Sequence, residues 1–187
     1  MNRALRRLVD VDELAGADFD TIQATDLEDF RQRVLELLGA GNSAGRSARP
    51  SDYGGFSFDD SITPPSRAEL RATHMALRDL LDAFVSNRYR NIPKLQVLIS
   101  VGERHGYVNP AVFGGRVRDR CVLAVLILLT RVGPQRVKAC PECKAAFIKT
   151  VRRRYCRRVE CERKRNAEYW KSVRHKYRGK ATKTGAV

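Results

Sequence analysis

Four cysteines, Cys140, Cys143, Cys156 and Cys161, stand in two close pairs separated by twelve residues. No other feature restricts the fold as much, because four thiolates so spaced converge on one metal ion. A Cys-x-x-Cys turn supplies two corners of a tetrahedron from one loop, and a second pair closes it at bond lengths of about 2.3 Å. The expected cofactor is Zn²⁺ in a structural, four-cysteine site. The N-terminus has no apolar leader ahead of a small-residue cleavage site, so a cytoplasmic chain with reduced thiols is expected rather than a disulfide framework. A redox Cys-x-x-Cys would need a surrounding βαβ pattern, which is missing. The fifth cysteine, Cys121, falls inside an apolar run and reads as a small core residue.

The charge points the same way. The chain carries a formal +15, and residues 140–187 hold sixteen Lys/Arg against four Glu, or +12 of that total. A positive field concentrated on a small module is the electrostatic footprint of a nucleic-acid binder. The longest apolar run, residues 121–129, is far short of the roughly 20 residues a membrane span needs, so no membrane partner is expected. A hydrophobic fraction of 43% over 187 residues suffices for one ordinary core with an appendix.

Residues 1–134 read as a helical domain with a small hairpin, to which only the family resemblance given below adds a regulatory or sensing role. Leu5, Leu8 and Val9 can open a short helix. Thr25 and Glu28 spell a capping box ahead of Leu27, Phe30, Val34, Leu37 and Leu38 at helical spacing, with Gly39 and Gly41 as the stop. Residues 40–65, rich in Gly, Ser, Asp and Pro, read as a loop in which Tyr53, Phe56 and Phe58 dock on the core or line a pocket. Ser66 and Glu69 spell a second capping box, and Leu70, Leu77, Leu81 and Phe84 form the stripe behind it. His74 near that stripe lacks a Cys or His partner at i+3 or i+4 and reads as a core histidine. Leu95, Val97 and Ile99 predict a strand, residues 102–106 a turn holding an exposed His105, and Tyr107, Val108 and residues 111–113 the return. Residues 116–131 predict a helix, apolar on most sides and central to the core. Gly133 and Pro134 end it.

Residues 135–180 read as the metal module, and residues 181–187 as a disordered tail. After Cys143, residues 145–149 are expected to form one strand of a hairpin, 150–154 its turn, and Arg154 with Tyr155 its return. Cys161 then sits at or just inside a helix reaching about Tyr177. Knuckle, hairpin and a helix holding the last ligand make a treble-clef plan. The fold class expected is therefore mainly α with a small β-hairpin: a helical N-terminal domain plus a C-terminal treble-clef-like zinc finger.

Cys140-Pro-Glu-Cys143, Phe147, Arg152-Arg153-Arg154-Tyr155-Cys156 and then Cys161 among basic residues resemble a CGNR-type zinc finger. In place of that family's Cys-Gly-Asn-Arg this chain has Cys161-Glu162-Arg163-Lys164. The resemblance implies a bacterial transcription regulator with a helical N-terminal domain that senses a signal, and double-stranded DNA as the partner. A small-molecule effector or self-association through residues 1–134 belongs to the same expectation.

The helix after Cys161 can be judged on its own residues. Trp170, Val173 and Tyr177 share a face with Asn166, expected to pack on the hairpin, while Lys164, Lys171, Arg174, His175 and Arg178 cluster beside it. The candidate nucleic-acid contacts are Arg152, Arg153, Arg154, Arg157, Arg158, Arg163, Lys164, Lys171, Arg174 and Arg178, since long cationic side chains on one face suit phosphates. An RNA-binding or ribosome-associated zinc protein is the alternative. Catalysis is not expected: a treble-clef nuclease needs a hairpin histidine as general base, and residues 143–156 contain none.

Overall fold

The computed structural model describes residues 3–39, 57–58, 63–86, 98–104, 107–113, 115–151, 153–156 and 158–181. It is mainly helical, with two small β units and the cysteine cluster in the C-terminal region. Helix α1 spans Arg3–Gly16, α2 Ala24–Leu37, α3 Arg67–Val85, α4 Val117–Val132 and α5 Val159–Ala181.

α1 is longer and more central than Leu5, Leu8 and Val9 alone suggest. Leu8, Val11 and Leu14, at three-residue spacing, are almost wholly buried, and α1 packs on both α3 and α4. α2 buries Phe30, Val34 and Leu37 as its period requires, and Gly39 stops it with φ 84°. Its expected capping box does not form. The N-cap is Gln23, two residues earlier, so Thr25 lies inside the first turn and Glu28 pairs with Arg31 instead. A capping box needs its Ser/Thr outside the helix, where the backbone is extended and the hydroxyl can reach the free amides.

In α3 the box is complete. Ser66 has an extended backbone, its hydroxyl accepts from the Glu69 amide at 3.3 Å, and the Glu69 carboxylate accepts from the Ser66 amide at 2.9 Å. Leu70, Leu77 and Leu81 are buried behind it, with Phe84 half-buried. His74 is a core histidine: it stacks on Phe19 at 5.6 Å and meets Phe30 edge-on at 6.2 Å. α4, apolar on most of its circumference, buries Cys121, Ala124, Val125, Leu128 and Leu129 against α1 and α3. Gly133, at φ 96°, turns the chain out of it.

A three-stranded sheet has the order β1-β3-β2, with β1 at Ser57–Phe58, β2 at Leu98–Arg104 and β3 at Tyr107–Phe113. β1 runs parallel and β2 antiparallel to β3, in a register from Leu98↔Phe113 to Arg104↔Tyr107. The hairpin expected here is present, but its ladder runs through Gly102 and Glu103, residues the sequence assigns to the turn. Cross-strand pairing outweighs the low strand preference of glycine. Tyr53, Phe56, Leu95, Val97, His105 and residues 182–187 lie outside the described residues.

The second hairpin departs from expectation. β5, Ala146–Ile148, pairs with β4, Val137–Ala139, upstream of the knuckle, and not with Arg154 and Tyr155. The Cys-x-x-Cys knuckle is itself a reversal, so the segments entering and leaving it are already antiparallel. Hydrogen bonds from the Cys140 amide to the Ala145 carbonyl at 2.8 Å and from the Lys149 amide to the Arg136 carbonyl at 2.7 Å extend the ladder at both ends. Val137, Ala146 and Ile148 pack into the same hydrophobic cluster as α1, α3 and α4, so the core crosses residue 134. Burial of Val137 and Ile148 alone contributes about 1.5–3 kcal/mol each.

Candidate metal centre

The knuckle is held by the backbone before any sulfur is considered. The Lys144 amide donates to the Cys140 carbonyl at 2.9 Å, and Lys144 takes φ 61° to close the turn. That left-handed conformation is uncommon for a side chain with a Cβ. The Lys144 ammonium donates to the Pro141 carbonyl at 3.0 Å across the same turn. Cys140 and Cys143 are thereby held in one tight turn between β4 and β5. Cys156 follows the irregular segment after β5, and Cys161 lies in the first turn of α5.

One sulfur from each cysteine falls within 4.8 Å of the others. Cys140 to Cys161 is 3.8 Å and Cys143 to Cys156 is 3.4 Å. A regular tetrahedron with 2.3 Å bonds has edges of about 3.8 Å, so the residues present fit a four-thiolate metal ion. Cys140, Cys156 and Cys161 are buried. Cys121 is buried in α4 and lies outside the cluster, and burial pushes its thiol up to about 12.

The thiols do not ionise equally. Burial opposes the charge on Cys140, but the amides of Cys143, Cys156 and Glu142 donate to its sulfur and bring it down to about 6. Burial and the neighbouring sulfurs push Cys156 and Cys161 up. Four thiolates this close repel one another, and a divalent cation removes that repulsion. The α5 N-terminus adds partial positive charge beside Cys161.

A small second core surrounds the cluster. Phe147 is 2% exposed and packs with Cys140, Cys156 and Cys161, with Tyr155 at its edge. The Arg153 guanidinium lies over the Phe147 ring at 5.3 Å, and its Nε donates to the Tyr155 carbonyl at 3.1 Å. The same guanidinium pairs with Asp12 of α1. A second tie runs from the Ala146 amide to the Asp82 carboxylate of α3 at 3.2 Å. α5 is fastened near its start by Cys161, by the Lys164–Glu142 ion pair, and by the Tyr155 hydroxyl donating to Glu168 at 2.8 Å. Asp12 and Asp82 escape a sequence reading. The only hint of Asp12 is an acid at the position of α1 that continues the Leu5, Leu8 stripe.

The cations expected to meet phosphates divide into three groups. Arg154, Arg158, Arg163, Lys171 and Arg174 are exposed, with no ion-pair partner for any of these side chains among the described residues. Arg153 is turned inward to Asp12, which corrects its placement on an exposed turn, and Lys164 is shared with Glu142. Arg178 lies on α5 and its side chain is outside the description, as are Arg152 and Arg157 altogether.

α5 also departs from expectation. Trp170 is 57% and Tyr169 61% exposed, so the aromatic stripe does not pack on the hairpin. The hairpin's inner face is already occupied by α1 and α3, through Val137, Ala146 and Ile148. Every side chain from Arg163 to Lys171 is exposed. At about 100° per residue, Arg163, Lys171 and Arg174 share an arc of about 80°, and Tyr169, Trp170 and Val173 lie on the arc beside it. Among the described residues no helix is long and apolar enough to cross a membrane. The chain matches no known family, no curated protein and no solved structure.

Proposed function

We propose that the four cysteines hold a structural zinc ion and that α5 binds double-stranded DNA, as expected of a transcription regulator with a finger of the CGNR type. One observation carries this reading: a 23-residue helix fastened at a metal centre and then exposed on all sides from Arg163 to Lys171, with a basic arc along it. Such a helix extends about 35 Å and is 10–12 Å wide, which suits a major groove about 12 Å across. Arg163, Lys171 and Arg174 supply charge to phosphates, and arginine can also read guanine with two hydrogen bonds. Zinc is favoured because four soft thiolates fill a tetrahedron and leave no open position, the pattern of a structural ion rather than a catalytic one.

The exposed Tyr169–Trp170 pair, edge-on at 5.5 Å, favours a second reading, an RNA with unpaired bases that stack on the rings. Binding of the full, zinc-loaded chain to duplex DNA, to structured RNA and to heparin at one salt concentration separates the two. Tighter binding to duplex supports the first reading, and tighter binding to RNA, lost in Trp170→Ala, the second. Equal affinity for heparin overturns both.

A further inference from the structure

A cavity of about 210 Å³ opens at the seam between the helices and the metal module. It is bounded by the end of α1, by α3, by Ala145 and Ala146 of the hairpin, and by Arg153, Cys156 and Arg158. Six charged side chains reach it: Asp12, Glu13, Asp82, Arg78, Arg153 and Arg158.

The three acids and three bases balance in charge, but they are not all paired with one another. Asp12 is taken by Arg153 and Glu13 by Arg33 at 3.0 Å. Asp82 accepts from the Ala146 amide. Each carboxylate thus has a partner, as does Arg153, but the Ala146 amide is neutral and leaves the Asp82 charge in place. The guanidiniums of Arg78 and Arg158 have neither an ion pair nor a hydrogen bond among the described residues. They come from different elements, α3 and the segment just ahead of α5, yet they border the same cavity. The rest of the lining is short and apolar, chiefly Ala15, Ala17 and Leu81.

We infer that this cavity binds a small organic anion, its carboxylate or phosphate held between Arg78 and Arg158 and its carbon skeleton against Leu81 and the alanines. Two forks from different elements suit an oxyanion, since guanidinium groups bind carboxylate and phosphate through paired N–H bonds. The volume lies below the 300–1,000 Å³ of drug-sized sites, so the ligand has the size of a small metabolite rather than a nucleotide. The occupant bridges α3 and the chain that leads from Cys156 into α5. The inference stands independently of whether α5 meets nucleic acid.

The test is thermal melting and calorimetric titration of the full, zinc-loaded chain with succinate and with inorganic phosphate, each against chloride at matched ionic strength. At saturation either anion is expected to raise Tm by about 2 °C or more over chloride, and the stronger of the two identifies the headgroup. Arg78→Gln and Arg158→Gln should each weaken binding about tenfold or more. Both residues are exposed, so folding is preserved. Lys171→Gln with Arg174→Gln, outside the cavity, should leave the shift intact. No shift beyond chloride for either anion overturns the inference. A shift that survives in the Arg78 and Arg158 variants also overturns it, because the anion is then adsorbed by the net positive charge.

Discussion

At the scale of single residues, the pair Asp12–Arg153 matters most outside the cysteines. The two side chains are only 6% and 11% exposed, so the carboxylate has little water to fall back on if its partner is lost, and the same holds for the guanidinium. Asp12→Asn is expected to cost about 3 kcal/mol and to lower Tm by roughly 6–12 °C, read by thermal melting. A loss near zero would mean that water replaces the pair. His74 makes a pH prediction. Burial among Phe19 and Phe30 disfavours the charged ring, more than the carbonyls of Ala17 and Ala15 favour it, so its pKa falls below 6.5. The unfolded chain then takes up a proton first as pH drops. The contribution is complete above about pH 6.5 and is lost progressively below it. His74→Phe should flatten the fall in Tm between pH 7 and 5 relative to the parent chain, the metal centre being common to both. Identical slopes would assign the acid sensitivity elsewhere.

At the scale of elements, two sequences with the same capping signature behave differently. Ser66→Ala removes a formed cap and should destabilise by about 1 kcal/mol. Thr25→Ala, inside the first turn of α2, should stay within about 0.5 kcal/mol of the parent. Denaturant melts of the two variants decide it, and equal losses would contradict the cap assignment. For α5, Lys171→Ala with Arg174→Ala should weaken nucleic-acid binding. It should also flatten the dependence of log K on log salt by about 0.9 per lost duplex phosphate contact. An unchanged slope would show that this arc does not touch the backbone of the nucleic acid. The aromatic stripe teaches a general point about helices. Trp170 and Val173 have the spacing of a buried face, but a stripe is buried only if another element has an apolar surface left to offer. Here α1 and α3 have already used the hairpin's.

At the scale of the whole molecule, the metal module and the helices share a core. Val137, Ala146 and Ile148 belong to the cluster built by α1, α3 and α4, and Asp12 and Asp82 add polar ties across the seam. Chelation, or Cys143→Ser, should therefore lower one cooperative melting transition of the entire chain rather than add a second, local one. Far-ultraviolet circular dichroism and Trp170 fluorescence, followed with and without chelator, check this. Two separate transitions would show that the module melts alone. What depends on near neighbours was legible in the order of the residues. The knuckle and the spacing of its four cysteines, the Ser66–Glu69 cap, the core stripes of α2 and α3, the buried Cys121 and His74, and the concentration of charge beyond Cys140 are all local patterns. It took packing across the chain to set β4, rather than Arg154 and Tyr155, beside β5, to turn Arg153 inward to Asp12, and to leave Trp170 of α5 exposed. The reason is that periodicity records which face of a segment is apolar, whereas its partner depends on which surfaces, brought together from distant parts of the chain, remain uncovered.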